Sequence, residues 1–388
     1  MFTYQFPKIK HIDDVKWAIA DCDEIIIAER DHFDVVNYIV ATDTTFPDIV
    51  DDKSAIRREC RGLIFDKQGN LISRPFQKFF NVNERKETQV QYIDFSKPHR
   101  ILEKLDGSMV RPVRIGNDWR LGTKMGITDV AMQAEAYIAD KPHFAKFFDF
   151  CEKLGEYGVT PIFEWLSRQQ RIVIDYPIDE LVLLAVRDNL TGEYYVYEML
   201  EKISREFNIG IVRQFPGNMQ SMQELIDYTR GQEGIEGFIV KFDSGMMVKI
   251  KGDWYVQIHK AKDQIGREKN LIAMLLDNNV DDVKPFLLQD DLDRLDKFER
   301  DFFAGIHNTV HKLVEAYNEN HRSNRGEFAR LIHETLPANW LPIMFKMYDG
   351  VNCVEAIIDL IRKNLTTQKK VDSVRWIFNT SWNYGSEE

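Results

Sequence analysis

Over residues 1–255, apolar and polar positions alternate in short runs rich in β-branched and aromatic side chains, and turn compositions separate the runs. Residues 61–66 and 71–76 predict two strands about the turn Lys67-Gln68-Gly69-Asn70, and residues 110–115 and 119–124 repeat the arrangement about Gly116-Asn117-Asp118. Residues 162–166, 181–186 and 194–197 predict further strands, and residues 144–153 and 222–230 predict helices. A last hairpin is expected from residues 237–242 and 246–251 about Asp243-Ser244-Gly245. Beyond residue 255 the period lengthens to that of a helix, as at residues 271–276, 302–317 and 354–365. The expected fold class is therefore α+β: an N-terminal domain over residues 1–255 built on antiparallel sheets, then an all-α C-terminal domain over residues 256–388.

Length and composition agree with two soluble domains. A chain of 388 residues is too long for one ordinary core, and 44% hydrophobic with 29% charged residues excludes wholesale disorder. The formal charge of −11 argues against a protein that coats nucleic acid non-specifically. Basic residues nevertheless cluster at Arg57, Arg58 and Arg61, at Lys249 and Lys251, and at Lys260 and Lys262, which allows a confined basic site. The four cysteines form no Cys-x-x-Cys pair, so neither a disulfide framework nor a zinc knuckle is indicated and a reducing compartment fits. The first residues lack an apolar signal core and no run of about 18 apolar residues occurs, so no membrane partner and a cytoplasmic location are expected.

Candidate chemistry centres on Glu103-Lys104-Leu105-Asp106-Gly107-Ser108, a lysine at the end of an apolar run with a glycine just beyond. Alone, such a string reads first as an exposed turn. Glu236-Gly237-Phe238 and Lys249-Ile250-Lys251 add an acid and two same-face lysines on adjacent predicted strands. Upstream, Arg61-Gly62 lies in RECRGLIFD, followed by SRPFQKFFN at residues 73–81.

The ordered set RECRG, SRPFQKFFN, EKLDGS, FEW around Glu164, EGF at Glu236 and KIKGDWY at residues 249–255 resembles the covalent lysine nucleotidyltransferases. Within them it is similar to the RNA ligase 1 family of T-even bacteriophages, over most of residues 33–260. The resemblance implies a nucleotidyltransferase fold for the first domain and an ATP-dependent RNA ligase, in which Lys104 takes AMP from ATP, AMP passes to an RNA 5′-phosphate, and a 3′-hydroxyl displaces it. It implies catalytic roles for Lys104, Glu164 and Glu236. Arg61, Lys78, Lys124, Lys249 and Lys251 would contact ATP, mostly its phosphates, Phe80 would stack on adenine, and Gly107 would leave room for the nucleotide. Tyr38, Gly237 and Tyr255 complete the implied nucleotide-binding set. Glu236 would organise magnesium, with manganese as a substitute, and Asp281 would be a second metal position. The implied partners are RNA ends, single-stranded or in a tRNA anticodon loop, selected with help from the helical domain of a monomeric enzyme working in a host cytoplasm.

The chemistry itself asks for such a cluster. A free lysine, with a pKa of about 10.4, is neutral in only about one molecule in 2,500 at pH 7, yet the nucleophile must be a neutral amine. Neighbouring cations ease its deprotonation and neutralise the phosphates. DNA ligases and messenger-RNA capping guanylyltransferases share this chemistry, but resemblance to either implies a small β-barrel after Lys251, where this sequence turns helical. A non-catalytic RNA-binding relative would not be expected to keep the whole residue set. His307 and His311 lack the glutamate of a His-Glu-x-x-His motif and read as surface residues, residues 290–296 as a solvated acidic helix face, and Cys60 as a packing residue.

Overall fold

The structure, a computed structural model, describes residues 6–384. It divides into two compact units, Met1–Val256 and Gln257–Glu388.

The first unit is built on three sheets. One runs in the order Ile25–Glu29, Phe33–Tyr38, Arg61–Asp66, Leu71–Ser73, all antiparallel. Helices Ile12–Ile19 and Asp52–Glu59 bury Val15, Ala18 and Ile56 against it. Asp51 caps the second of these helices by accepting from the Ser54 amide at 2.8 Å, and the helix stops at Cys60, directly before Arg61. The second sheet has the order Gly210–Ile211, Glu180–Asp188, Val159–Leu166, Ser108–Ile115, Asp118–Gly122. The third has the order Phe80–Asn81, Met247–Lys251, Gly237–Phe242, His99–Lys104.

Strand Val159–Leu166 is apolar on both faces because both are covered. Phe163 packs on Phe147 and Phe150 of helix Phe147–Glu156, while Ile162 clusters with Phe76, Met247 and Ile239. Glu164, two residues on, shares the face of Ile162 and so looks toward the third sheet.

Several elements differ from expectation. The strand expected over 71–76 ends at Ser73, because Arg74 turns inward to Glu59 and Pro75 has no amide to donate. Residues 194–197 make one bridge, Tyr194 to Arg187, before helix Tyr197–Phe207 begins, whose buried Tyr197, Leu200 and Ile203 recur at helical spacing. The sheets are antiparallel apart from two short parallel pairs, one of which sets Phe80 and Asn81 beside Val248 and Lys249.

The described part of the second unit is helical. Its longest helix, Gln289–Asn320, buries Leu295, Phe298, Phe302, Ile306, Thr309, Leu313 and Ala316 at three- and four-residue steps. His307 and His311 are exposed on it. The acidic run 290–296 opens the same helix, mostly in solvent, but Asp291 is buried and pairs with Lys262 at 3.1 Å. Among the described residues no helix is long and apolar enough to cross a membrane.

Candidate active site

Register in the third sheet brings the first residues together. Gly237 stands opposite Lys104 on one side and Lys251 on the other. Glu236, one residue earlier, therefore lies between two lysines: its Oε2 is 2.7 Å from Lys104 Nζ and its Oε1 is 2.9 Å from Lys251 Nζ. At 3% exposure this carboxylate would be costly alone, and the two ammonium groups offset that cost. Gly237 has φ +147°, and a Cβ there would fall 2.0 Å from the Ile250 carbonyl oxygen, so only glycine allows the strands this approach.

The chain after Lys104 is fastened tightly. Asp106 Oδ2 accepts from the amides of Val173 at 2.8 Å and Ile174 at 2.7 Å, and its Oδ1 accepts from the Tyr255 hydroxyl at 2.6 Å. Asp106 is the residue the sequence reading left without a role, although it stands in the Lys-x-Asp-Gly string. Tyr255 is 2% exposed, and its hydroxyl is the donor to Asp106. At Gly107 a Cβ would lie 2.4 Å from the Trp165 carbonyl oxygen and 3.0 Å from Glu164 Cγ. Its missing side chain makes room for a neighbouring strand. The Gly107 amide donates to Glu164 Oε1 at 3.2 Å. Burial pushes the Glu164 carboxyl pKa up to about 8; Lys104 opposes the shift and Glu236 adds to it.

A group of cations completes the site. Lys249, half-buried, has its ammonium pKa pushed down to about 7 by burial first, then by Lys78, Arg61 and Lys104. Burial also lowers Lys78, whose Nζ lies 4.9 Å from the Tyr38 ring centroid. For the Tyr38 phenol, burial acts upward, but Lys78, Arg61 and Lys124 outweigh it and the net shift is down. Lys124 lies beyond strand Asp118–Gly122, in the turn closed by Thr123 and Gly126. Thus Lys104, Glu164, Glu236, Lys249, Lys251, Arg61, Lys78, Lys124 and Tyr38 share one electrostatic neighbourhood, rich in positive charge and suited to a polyphosphate.

Two further expected residues have these surroundings. Phe80 is 1% exposed, with Arg58 at 4.6 Å and Arg85 at 4.7 Å from its centroid. Asp281 sits exposed in the turn Val280–Asp282 of the second unit, 3.9 Å from Lys284, which also pairs with Asp296 and Glu299. A lysine thus sits in that acidic neighbourhood. Cys60 is fully buried and its thiol donates to the Ile56 carbonyl at 3.4 Å, a packing role. Sequence reading also missed Glu59, which is fully buried between Arg74 at 3.0 Å and Arg187 at 2.7 Å. This ion cluster anchors the segment leading to Lys78, and its signal was the glutamate inside RECRG.

Comparison with known proteins gives two family matches: "RNA ligase" over residues 59–255 and "T4 RNA ligase 1, C-terminal domain" over residues 262–372. A provisionally named RNA ligase of Thermovibrio ammonificans is 31% identical over 68% of this chain and 71% of its own. RNA ligase 1 of bacteriophage TS2126 is 23% identical over 79% of each chain. Among solved structures, an archaeal ATP-dependent RNA ligase aligns at TM-score 0.43 and 15% identity over 68% of this chain and 64% of its own. With the first match alone spanning half of its residues, the chain belongs to the RNA ligase family.

Proposed function

We propose that this RNA ligase is ATP-dependent and works through Lys104. Lys104 Nζ attacks the α-phosphorus of ATP; the nitrogen–phosphorus bond forms as the bond to the pyrophosphate oxygen breaks. An RNA 5′-phosphate oxygen then displaces the lysine, and a 3′-hydroxyl finally displaces AMP to close the phosphodiester. Each step is an in-line displacement at phosphorus, so one cationic cradle serves all three. The observation that carries this reading is the trio Lys104–Glu236–Lys251: Glu236 Oε2, 2.7 Å from the nucleophile, supports a role as acceptor of its proton, while Lys251 holds the carboxylate's other oxygen at 2.9 Å. Arg61, Lys78, Lys124 and Lys249 bind the phosphates, and Tyr38, beside Lys78, borders the nucleotide.

The residues present fit a divalent ion. Glu164 and Glu236 are electrically coupled, and magnesium is commonly held by only one or two carboxylates together with substrate phosphates. Glu236 and Glu164 would hold magnesium or manganese, which would neutralise charge on the phosphate oxygens.

The match of residues 262–372 to the C-terminal domain of T4 RNA ligase 1 supports a division of labour. Residues 1–255 carry the chemistry, and residues 256–388 help choose the RNA, single-stranded ends or a broken tRNA anticodon loop. The enzyme acts as a monomer in the cytoplasm.

The test mixes the full chain with magnesium and α-labelled ATP or GTP, denatures it and looks for label on the protein. Label from ATP that moves to 5′-phosphorylated RNA is expected, with Lys104→Ala abolishing it. Label retained on Lys104→Ala, or taken only from GTP, would remove the assignment.

A further inference from the structure

Arg111 lies outside the residues considered so far, in strand Ser108–Ile115, and is fully buried. Its Nε donates to Ser73 Oγ at 2.9 Å, its Nη1 to the Thr123 carbonyl at 2.8 Å, and its Nη2 to the Gly62 carbonyl. All three acceptors are neutral, and among the described residues no carboxylate pairs with this guanidinium. Burial and then the charge of Arg61 push its pKa down to about 9, which leaves it a cation at pH 7. A buried cation without an acid is unfavourable by itself. The other buried arginines near the site differ: Arg58 has Glu87 at 2.7 Å, and Arg74 and Arg187 share Glu59.

Where the bonds fall gives the arrangement its meaning. Gly62 follows Arg61 and Thr123 precedes Lys124, so one planar fork grips the chain beside each of two phosphate-binding candidates. The same two segments touch directly: Gly62 has φ +94°, and a Cβ there would lie 2.8 Å from Lys124 Cα. Arg61 and Lys124 carry like charges and repel each other, while the Arg61 guanidinium reaches Met109 Sδ at 3.9 Å on the strand that carries Arg111.

We infer that Arg111 is a positioning residue, which fixes the spacing of Arg61 and Lys124 and adds an uncompensated positive charge behind them, so that the site is preorganised for a polyphosphate. The inference rests on the proposed role of those two residues in ATP binding. A lysine would keep the charge but not the three-point grip, since an ammonium cannot span acceptors on three separate segments.

Labelling of Lys104 from ATP, and its reversal by inorganic pyrophosphate, separate this role from mere stabilisation. In Arg111→Met and Arg111→Lys the KM for ATP and the half-saturating pyrophosphate concentration should each rise about tenfold or more, with the saturated rates within about threefold of the parent. Ser73→Ala, a mild change that removes one acceptor, should raise both by a smaller factor in the same direction. It carries the test if neither Arg111 variant folds. Unchanged KM in the folded variants, with the loss confined to thermal stability or to the fraction of chargeable protein, would overturn the inference. If the parent chain itself takes no label from ATP, the proposed function fails instead.

Discussion

Burial leaves the Glu164 carboxylate poorly solvated. Its carboxyl has an ordinary pKa of 4.5 and is raised to about 8 in the folded chain. Below pH 4.5 it is protonated in both states and folding loses nothing; from pH 4.5 to 8 the unfolded chain ionises first, so stability falls as pH rises; above 8 the full cost remains. Glu164→Gln keeps an acceptor for the Gly107 amide and removes the charge. The variant should therefore match the parent near pH 4.5 and exceed it at pH 8 to 9 by about 1 kcal/mol or more, roughly 2–4 °C in Tm, while losing ligase activity. Thermal melts across that range decide it: a variant less stable than the parent at pH 9 would mean the carboxylate is already compensated. The residues that could be read from sequence are those whose meaning is local. Lys104, Glu236 and Lys251 meet because strand register is set by the apolar alternation around them. Phe80 and Tyr255 could not be placed in this way, since the groups that cover them, Arg58, Arg85 and Asp106, arrive from other segments.

At the scale of elements, the loop after Lys104 and the start of helix Asp253–Ile265 are tied through the Tyr255–Asp106 bond. Tyr255→Phe keeps the ring and deletes a buried donor to a carboxylate, which should cost about 1–3 kcal/mol. Asp106 retains the Val173 and Ile174 amides, so the loop should loosen rather than collapse. The expected result is a slower saturated rate of AMP attachment with KM for ATP changed less than threefold, measured by rapid-quench labelling. A pure rise in KM would put Tyr255 on the nucleotide after all. Element prediction from sequence succeeded where a pattern ran long enough, as in the paired strands Gly237–Phe242 and Met247–Lys251. It failed at residues 74–76 and 194–197, where Arg74 and the helix of Tyr197 answer to distant partners. Two-residue parallel pairs such as Phe80–Asn81 with Val248–Lys249 carry no alternation that a sequence could show.

For the whole molecule, the proposed division of labour makes a demand on the second unit alone. Gly305 lies inside helix Gln289–Asn320, where a Cβ would stand 2.0 Å from the Phe378 carbonyl oxygen and 2.5 Å from its carbon. Alanine is the better helix former by about 1 kcal/mol, yet the clashing atoms are backbone and cannot rotate away. Overpacking of that kind costs about 1–3 kcal/mol, so the clash outweighs the propensity gain and Gly305→Ala should loosen the second unit. If residues 1–255 carry the chemistry, AMP attachment to Lys104 in the full-length variant should stay within about twofold of the parent. Joining of a broken tRNA anticodon loop should fall much further than joining of a short single-stranded RNA. Equal losses in all three assays would mean that the helical unit serves the nucleotide chemistry itself, and equal losses for the two RNAs with AMP attachment spared would remove its part in choosing the tRNA.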